Sequence, residues 1–222
     1  MLARYLVVIL SLYSGIPDLA AGVLTDLRVT EKHGVYEVTM TMITDAPAEH
    51  VHAVLTDYAR IYRLNAAITE SAVLQSPEAG VVRVKTVMTG CVAFFCRDIA
   101  RVEDVRELAS GDLQAVIVPE LSDLRSGAAQ WNIQRVGQRT RITYEGCMEP
   151  DFFIPPLIGS WFVKHSIRDE LKTSFSRIEC IAKIQAQREA QREADPDLQM
   201  SRLQIASICD GECDSGMTGC KP

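Results

Sequence analysis

The hydrophobic pattern of this chain changes period once, near residue 155, and that change constrains the fold more than any other feature. Between residues 23 and 150 apolar residues recur every second position. Tyr36, Val38, Met40 and Met42 alternate with Glu37, Thr39 and Thr41. Ala129, Trp131 and Ile133 alternate with Gln130, Asn132 and Gln134, and Ile142, Tyr144, Gly146 and Met148 with Arg141, Thr143 and Glu145. A period of two places one dry and one wet face on each strand, the signature of an antiparallel sheet covered on one side. From Pro155 to about Gln187 the spacing becomes helical. Ile167, Leu171, Ser174, Phe175, Ile178 and Ala182 form one stripe, with Arg168, Asp169, Lys172, Arg177 and Glu179 off it. One long helix must then cover the dry face of one curved sheet, an α+β architecture.

Further strands are predicted over 23–29, 68–74, 82–88, 97–105 and 113–117, the one from Arg97 to Val105 with its alternation weakened by charges. The first pairs with residues 35–43 across Lys32-His33-Gly34. Asp45 is expected to cap a short helix carrying Val51, Val54 and Leu55, and Thr56-Asp57 to start a second one carrying Tyr58, Ile61, Tyr62 and Leu64.

The first 22 residues read as an export leader. Arg4 precedes the apolar run Leu6–Leu12, Gly15 and Pro17 end it, and Ala20-Ala21-Gly22 supplies small residues for cleavage. The run is shorter than the roughly 20 residues a membrane-spanning helix needs. The expected organisation is a leader at 1–22, one domain at 23–186 and a mobile cysteine-containing tail at 187–222. An exported, periplasmic location suits the seven cysteines: Cys91, Cys96, Cys147, Cys180, Cys209, Cys213 and Cys220. Cys91 and Cys96 are five apart, so one flat strand cannot join them, whereas a turn between them can. Cys147 and Cys180 are predicted to be core thiols.

Net charge is −6 with charges well mixed, and no basic patch follows a nucleic-acid backbone, so nucleic acid is not an expected partner. No metal site or cofactor fingerprint is visible, nor a nucleophile elbow or zinc-protease motif. No residue is assigned as catalytic. Tyr144, Lys164, Asp98 and Arg97 are the groups that could act on a bound molecule, and nothing separates them.

The string Ala46-Pro-Ala-Glu-His-Val-His-Ala-Val-Leu-Thr-Asp-Tyr58, followed by Ile61-Tyr-Arg-Leu-Asn65, resembles the start of START-like, helix-grip (SRPBCC) proteins. Within them it is most similar to the polyketide cyclase/dehydrase and coenzyme-Q-binding branch. Pro155-Pro-Leu-Ile-Gly-Ser-Trp-Phe162 resembles an exported bacterial subgroup. The resemblance spans roughly residues 35–183 and implies an apolar cavity between sheet and long helix that takes lipids, quinones, isoprenoids or polyketides. It marks a fold and selects no reaction.

Tyr58, Tyr62, Met40, Met88, Trp131, Tyr144, Leu157, Lys164 and Leu171 are the candidate lining of that cavity, or else plain core. Phe152, Phe153, Ile158, Trp161 and Phe162 crowd the start of the helix. With Ile167 as origin, Ile158, Trp161 and Phe162 lie at about 180°, 120° and 220° on a helical wheel, away from the stripe. Either neighbouring segments cover them, or they form a gate or a docking surface for a membrane. The expected function is binding or transport of a hydrophobic small molecule outside the cytoplasm. The alternatives are a cyclase/dehydratase-type enzyme and an interaction protein with a vestigial cavity. Oligomeric state is not legible.

Overall fold

A computed structural model of the chain describes residues 22–76, 78–92, 95–154 and 159–194. The leader segment, Leu157, Ile158 and the cysteines at 209, 213 and 220 lie outside them. Eight antiparallel strands form one sheet: β1 (Val23–Lys32), β2 (Val35–Thr44), β3 (Ile68–Leu74), β4 (Val81–Val92), β5 (Phe95–Glu107), β6 (Leu113–Ile117), β7 (Leu124–Val136) and β8 (Arg139–Pro150). Their order is β1-β2-β8-β7-β6-β5-β4-β3. Strands β3 to β8 are therefore a simple meander, and β8 returns to pair with β2. Helix α1 (Ala48–Leu55) and a 3₁₀ segment (Tyr58–Leu64) carry the chain from β2 to the far edge at β3. Helix α2 (Gly159–Ala194) lies across the dry face.

The β1–β2 hairpin closes over two residues, His33 and Gly34, both with positive φ (54° and 84°). That is the type I′ pattern, whose twist matches the strands it joins. Irregular register in β1, β3 and β7 breaks the flat ladder, and such bulges increase local bend and twist. Asp45 does not cap α1. The cap position is Pro47, and Asp45 instead holds Arg139 at 2.7 Å.

Cross-strand register puts Val38, Met40, Met42, Tyr144, Ile142 and Trp131 on the covered face, and the first five of these are buried. Onto them α2 presents Phe175, Ile178, Ile181 and Ala182, all buried. Phe175 stacks on Trp131 at 5.3 Å, and Trp131 meets Tyr144 at 4.6 Å. The predicted stripe is thus correct over its second half. Glu179, predicted off the stripe, is 7% exposed and Lys183 is 9% exposed. The reason is that α2 is covered from two sides here, by the sheet and by the segment leading into β1. Cys91 stands opposite Cys96 in the β4–β5 pair, and the two are joined as a disulfide. Cys147 is a free, exposed thiol, and Cys180 is disulfide-bonded. Neither is the free core thiol expected. Helix α2 also continues past the domain boundary placed at residue 186, and His50 of α1 lies 2.7 Å from Glu189 on that extension.

Phe175→Ala removes the ring that joins helix to sheet. It should cost about 3–5 kcal/mol, read as a lower urea midpoint; a loss below about 1 kcal/mol would mean that the stack does not carry the contact.

Candidate functional site

The two halves of α2 are packed differently. From Phe175 to Lys183 six positions are buried, whereas from Gly159 to Ser174 none is. Ile167 and Leu171 touch the core cluster yet remain half-exposed. The sheet mirrors this. Inner positions are buried along β2, β8 and β6 and at Val84, Thr86 and Val105, while Met88, Ile99 and Met148 toward the other end are half-exposed. Apolar surface inside the grip is therefore left accessible along the first half of the helix.

The inner face there is not wholly apolar. Register aligns Val84 with Glu103, Thr86 with Arg101, and Val82 with Val105. Arg101 and Glu103 consequently occupy inner positions, and they pair with each other at 3.1 Å. This pair escaped the sequence reading. Its signal was present as the weakened alternation of β5: Ile99 and Val105 share the parity of Arg101 and Glu103, so charges stand at positions where apolar residues are due.

Tyr144 lies beside them. Its ring runs along β8 over Gly146, where a Cβ would come within 2.6 Å of the Tyr144 hydroxyl, so the strand needs glycine at that point. Among the described residues no hydrogen bond to that hydroxyl is made. It adjoins a hollow of about 10 Å³, the size of one water, bordered by Arg101, Glu103, Ile117, Ala129 and Met148. Burial first, and the Glu103 and Cys147 charges after it, push the Tyr144 phenol up to about 12, against the opposing pull of Arg101. The group is neutral at ordinary pH and acts as a hydrogen-bond donor. Tyr58 packs on the second core cluster of Val84, Val105 and Ala115, and burial with the Glu107 charge pushes it up to about 12 as well.

The other candidate liners divide. Trp131 and Leu171 lie beside Tyr144 and the core, Met88 is half-exposed on the inner face, and Lys164 is half-exposed on α2. Met40 is 1% exposed within the sealed part of the core, and Tyr62 is 48% exposed, turned to solvent. Neither of those two borders the accessible stretch. Asn65, at the end of the quoted string, is a clasp rather than a liner. Its amide donates to the Glu170 carbonyl at 3.2 Å and to the Ser174 hydroxyl at 3.3 Å, and it also meets the Glu170 carboxylate.

At the start of α2, Phe153 is 79% exposed, Trp161 62% and Phe162 46%. Trp161 packs edge-on against Phe162 at 4.9 Å and stacks on His165 at 5.4 Å. Phe152 is half-buried with the Arg97 guanidinium 4.7 Å above its ring. Among the described residues no group of three or more His, Cys, Asp or Glu is placed to hold a metal, and no helix is long and apolar enough to cross a membrane.

No protein-family model and no curated protein matches this sequence. Solved structures do. TTHA0849 from Thermus thermophilus superposes with a TM-score of 0.57 at 15% identity, over 67% of this chain and 97% of its own. A START superfamily protein from Mycobacterium smegmatis gives 0.50 at 14% identity, over 64% and 97%. A STAR-related lipid transfer protein from Xanthomonas axonopodis gives 0.48 at 16%, over 68% and 98%.

An unfolded tyrosine ionises near about 10, while Tyr58 and Tyr144 hold their protons to about 12. The stability their neutral forms contribute is complete below pH ~10 and is lost as pH rises through about 12. Tyr144→Phe should flatten the fall in unfolding free energy across that window. An unchanged slope would mean that the hydroxyl is not buried. With this geometry, and with the likeness to the first two of these structures, the chain carries a helix-grip fold.

Proposed function

We propose that this chain binds and carries a mostly apolar small molecule, of the lipid, quinone or isoprenoid kind, outside the cytoplasm. The observation that carries the reading is the unequal packing of α2. The helix seals the sheet over Phe175–Lys183 and leaves apolar surface accessible over Gly159–Ser174. Burying that surface against a ligand stabilises a complex by about 25 cal/mol per Å². The Arg101–Glu103 pair and the Tyr144 hydroxyl would orient the ligand's polar end, since a few convergent polar groups in an apolar pocket set direction. The fold shared with a START superfamily protein agrees with this reading.

Trp161, Phe162 and Phe153 form the docking element, and its partner is a lipid surface. Aromatic side chains at a helix start suit the interface between headgroups and acyl chains. Lys164 and Arg168 flank them on the same helix. The Cys91–Cys96 disulfide fits an exported chain, because disulfides persist in oxidising compartments. A cyclase-type activity is the second reading, favoured by the inward Arg101–Glu103 pair. Against it, a Tyr144 phenol held up to about 12 does not serve as a base at neutral pH.

Native mass spectrometry of the exported protein should show a bound apolar molecule that organic extraction removes. A chain that neither carries nor takes up such a molecule overturns the binding reading. Turnover of a polyketide-like substrate that is lost in Glu103→Gln would replace it with the enzyme. Trp161→Ala with Phe162→Ala should weaken association with anionic phosphatidylglycerol-containing vesicles at least several-fold at unchanged Tm, and unchanged association removes the docking role.

A further inference from the structure

Glu179 is a carboxylate inside the sealed half of the grip, and its partners are unusual in where they come from. Oε1 accepts from the Thr44 hydroxyl at 2.9 Å and lies 2.7 Å from the Lys183 ammonium one turn further along α2. Oε2 accepts from the backbone N–H of Gly22 at 2.6 Å. Gly22 is the residue just before β1, and 157 positions separate it from Glu179. It also has no room for a side chain. A Cβ there would overlap the Met42 methyl group and come within 2.6 Å of Glu179 Oε2. A larger residue there would have to displace the ends of the Met42 and Glu179 side chains, so glycine allows the nitrogen its closest approach to the carboxylate.

Gly22 falls at the cleavage region of the export leader. A break after Gly22 places Ala20 and Gly22 at the two small positions of an A-x-A-like site, whereas a break before it places Leu19 and Ala21 there, so the sequence pattern favours the later break and the Glu179 contact the earlier one. A break after Gly22 would discard the nitrogen that Glu179 holds and leave Oε2 without that donor. A break before it would turn the same nitrogen into the α-amino group. We propose that leader removal takes place between Ala21 and Gly22, and that the Gly22 ammonium so formed locks onto Glu179. This moves the domain start from residue 23 to residue 22.

The chemistry is a hydrolysis by a membrane-bound leader peptidase. The Ala21–Gly22 peptide bond breaks and one water is consumed. Its oxygen completes the Ala21 carboxylate, and its two hydrogens go to the Gly22 nitrogen, which becomes an ammonium. At neutral pH that amine is charged, since an ordinary α-amino group titrates near about 7.7–8. The neutral N–H···O contact becomes a charge-assisted one, about twice as strong. Gly22 is half-exposed, so one ammonium hydrogen can face Glu179 while the others face water. The carboxylate, already buried beside Lys183 and Thr44, gains a second cation rather than being stranded. Removal of the leader thus strengthens the hold of β1 on α2: the uncleaved chain has the hydrogen bond without the charge.

The inference rests on the export reading and not on the ligand, so its outcome is separate from that of ligand binding. The full chain, exported from a bacterial host with its own leader, should give Gly22 as first residue by N-terminal sequencing. Val23 as first residue, or a retained leader, overturns the proposal. Two chains made without the leader, one beginning at Gly22 and one at Ala21, should then differ in Tm. The Ala21 form should melt about 2–5 °C lower. In a Glu179→Gln background the same pair should melt together. Equal Tm values in the wild-type background, or an equal difference in both backgrounds, would show that the amine does not act through Glu179. Should the Glu179→Gln chain fail to fold, the wild-type pair decides alone.

Discussion

Phe175 stacked on Trp131 joins the two parts of this molecule. The sheet alone has a dry face it cannot hide, and α2 alone has a stripe too narrow to hold a helix of 36 residues in water. Their contact fixes where the helix sits along the sheet. Because Phe175 lies near the middle of α2, one half of the helix is committed to closing the core and the other half is free of that duty. The half-exposed first half of the helix, its aromatic start and the sealed stretch all depend on where this ring falls. A stripe centred one turn earlier would have closed the grip over Arg101 and Glu103, and their charges would then require burial at considerable cost.

Much of the fold was legible because each strand has one wet face. Alternation on β2, β7 and β8 gave their inner residues correctly, and the change of period located the helix. What remained hidden shares a physical cause: a local pattern reports one neighbour at a time. Glu179 was placed outside because a helical wheel assumes a single covered side, and here Gly22, ahead of β1, covers it from another while Thr44 reaches it from the sheet. Asp45 looked like a helix cap because the sequence shows only its chain neighbours, not the Arg139 side chain that arrives from β8. The site was less legible than the fold. Tyr144, Trp131 and Tyr62 all read as aromatic residues with a polar tip, yet the first two lie on the covered face and Tyr62 faces water. Sequence cannot separate them, since the helical run of residues 58–64 is broken at Arg60 (φ −126°, ψ 27°), and Tyr58 and Tyr62 do not share a regular helical face.

The polar groups on the inner face also limit the chemistry open to the proposed ligand. A phenol that keeps its proton to about 12 donates a hydrogen bond at all ordinary pH values. Arg101 and Glu103 satisfy each other at 3.1 Å, so neither is a lone charge waiting for a counter-ion. A ligand with a net charge would have to break that pair, whereas one with a carbonyl or hydroxyl at its tip can meet the phenol without disturbing it. This favours a neutral polar end on a greasy body, and it weighs against acid–base work that needs a group titrating near neutrality.

The two ends of α2 then have opposite electrostatic characters for opposite reasons. At the sealed end Glu179 and Lys183 are buried together, and burial raises the penalty for any partner left unmatched. Such a site is intolerant, which suits it to a contact that is made once and kept. At the open end Trp161 and Phe162 lie in water, so covering and uncovering them exchanges mainly apolar hydration, and the single indole N–H can keep a polar partner at a lipid–water interface. A contact of that kind is weak and reversible, as repeated loading and release at a membrane would require. The same helix can serve both needs only because its packing is uneven, and Phe175 marks the boundary between them.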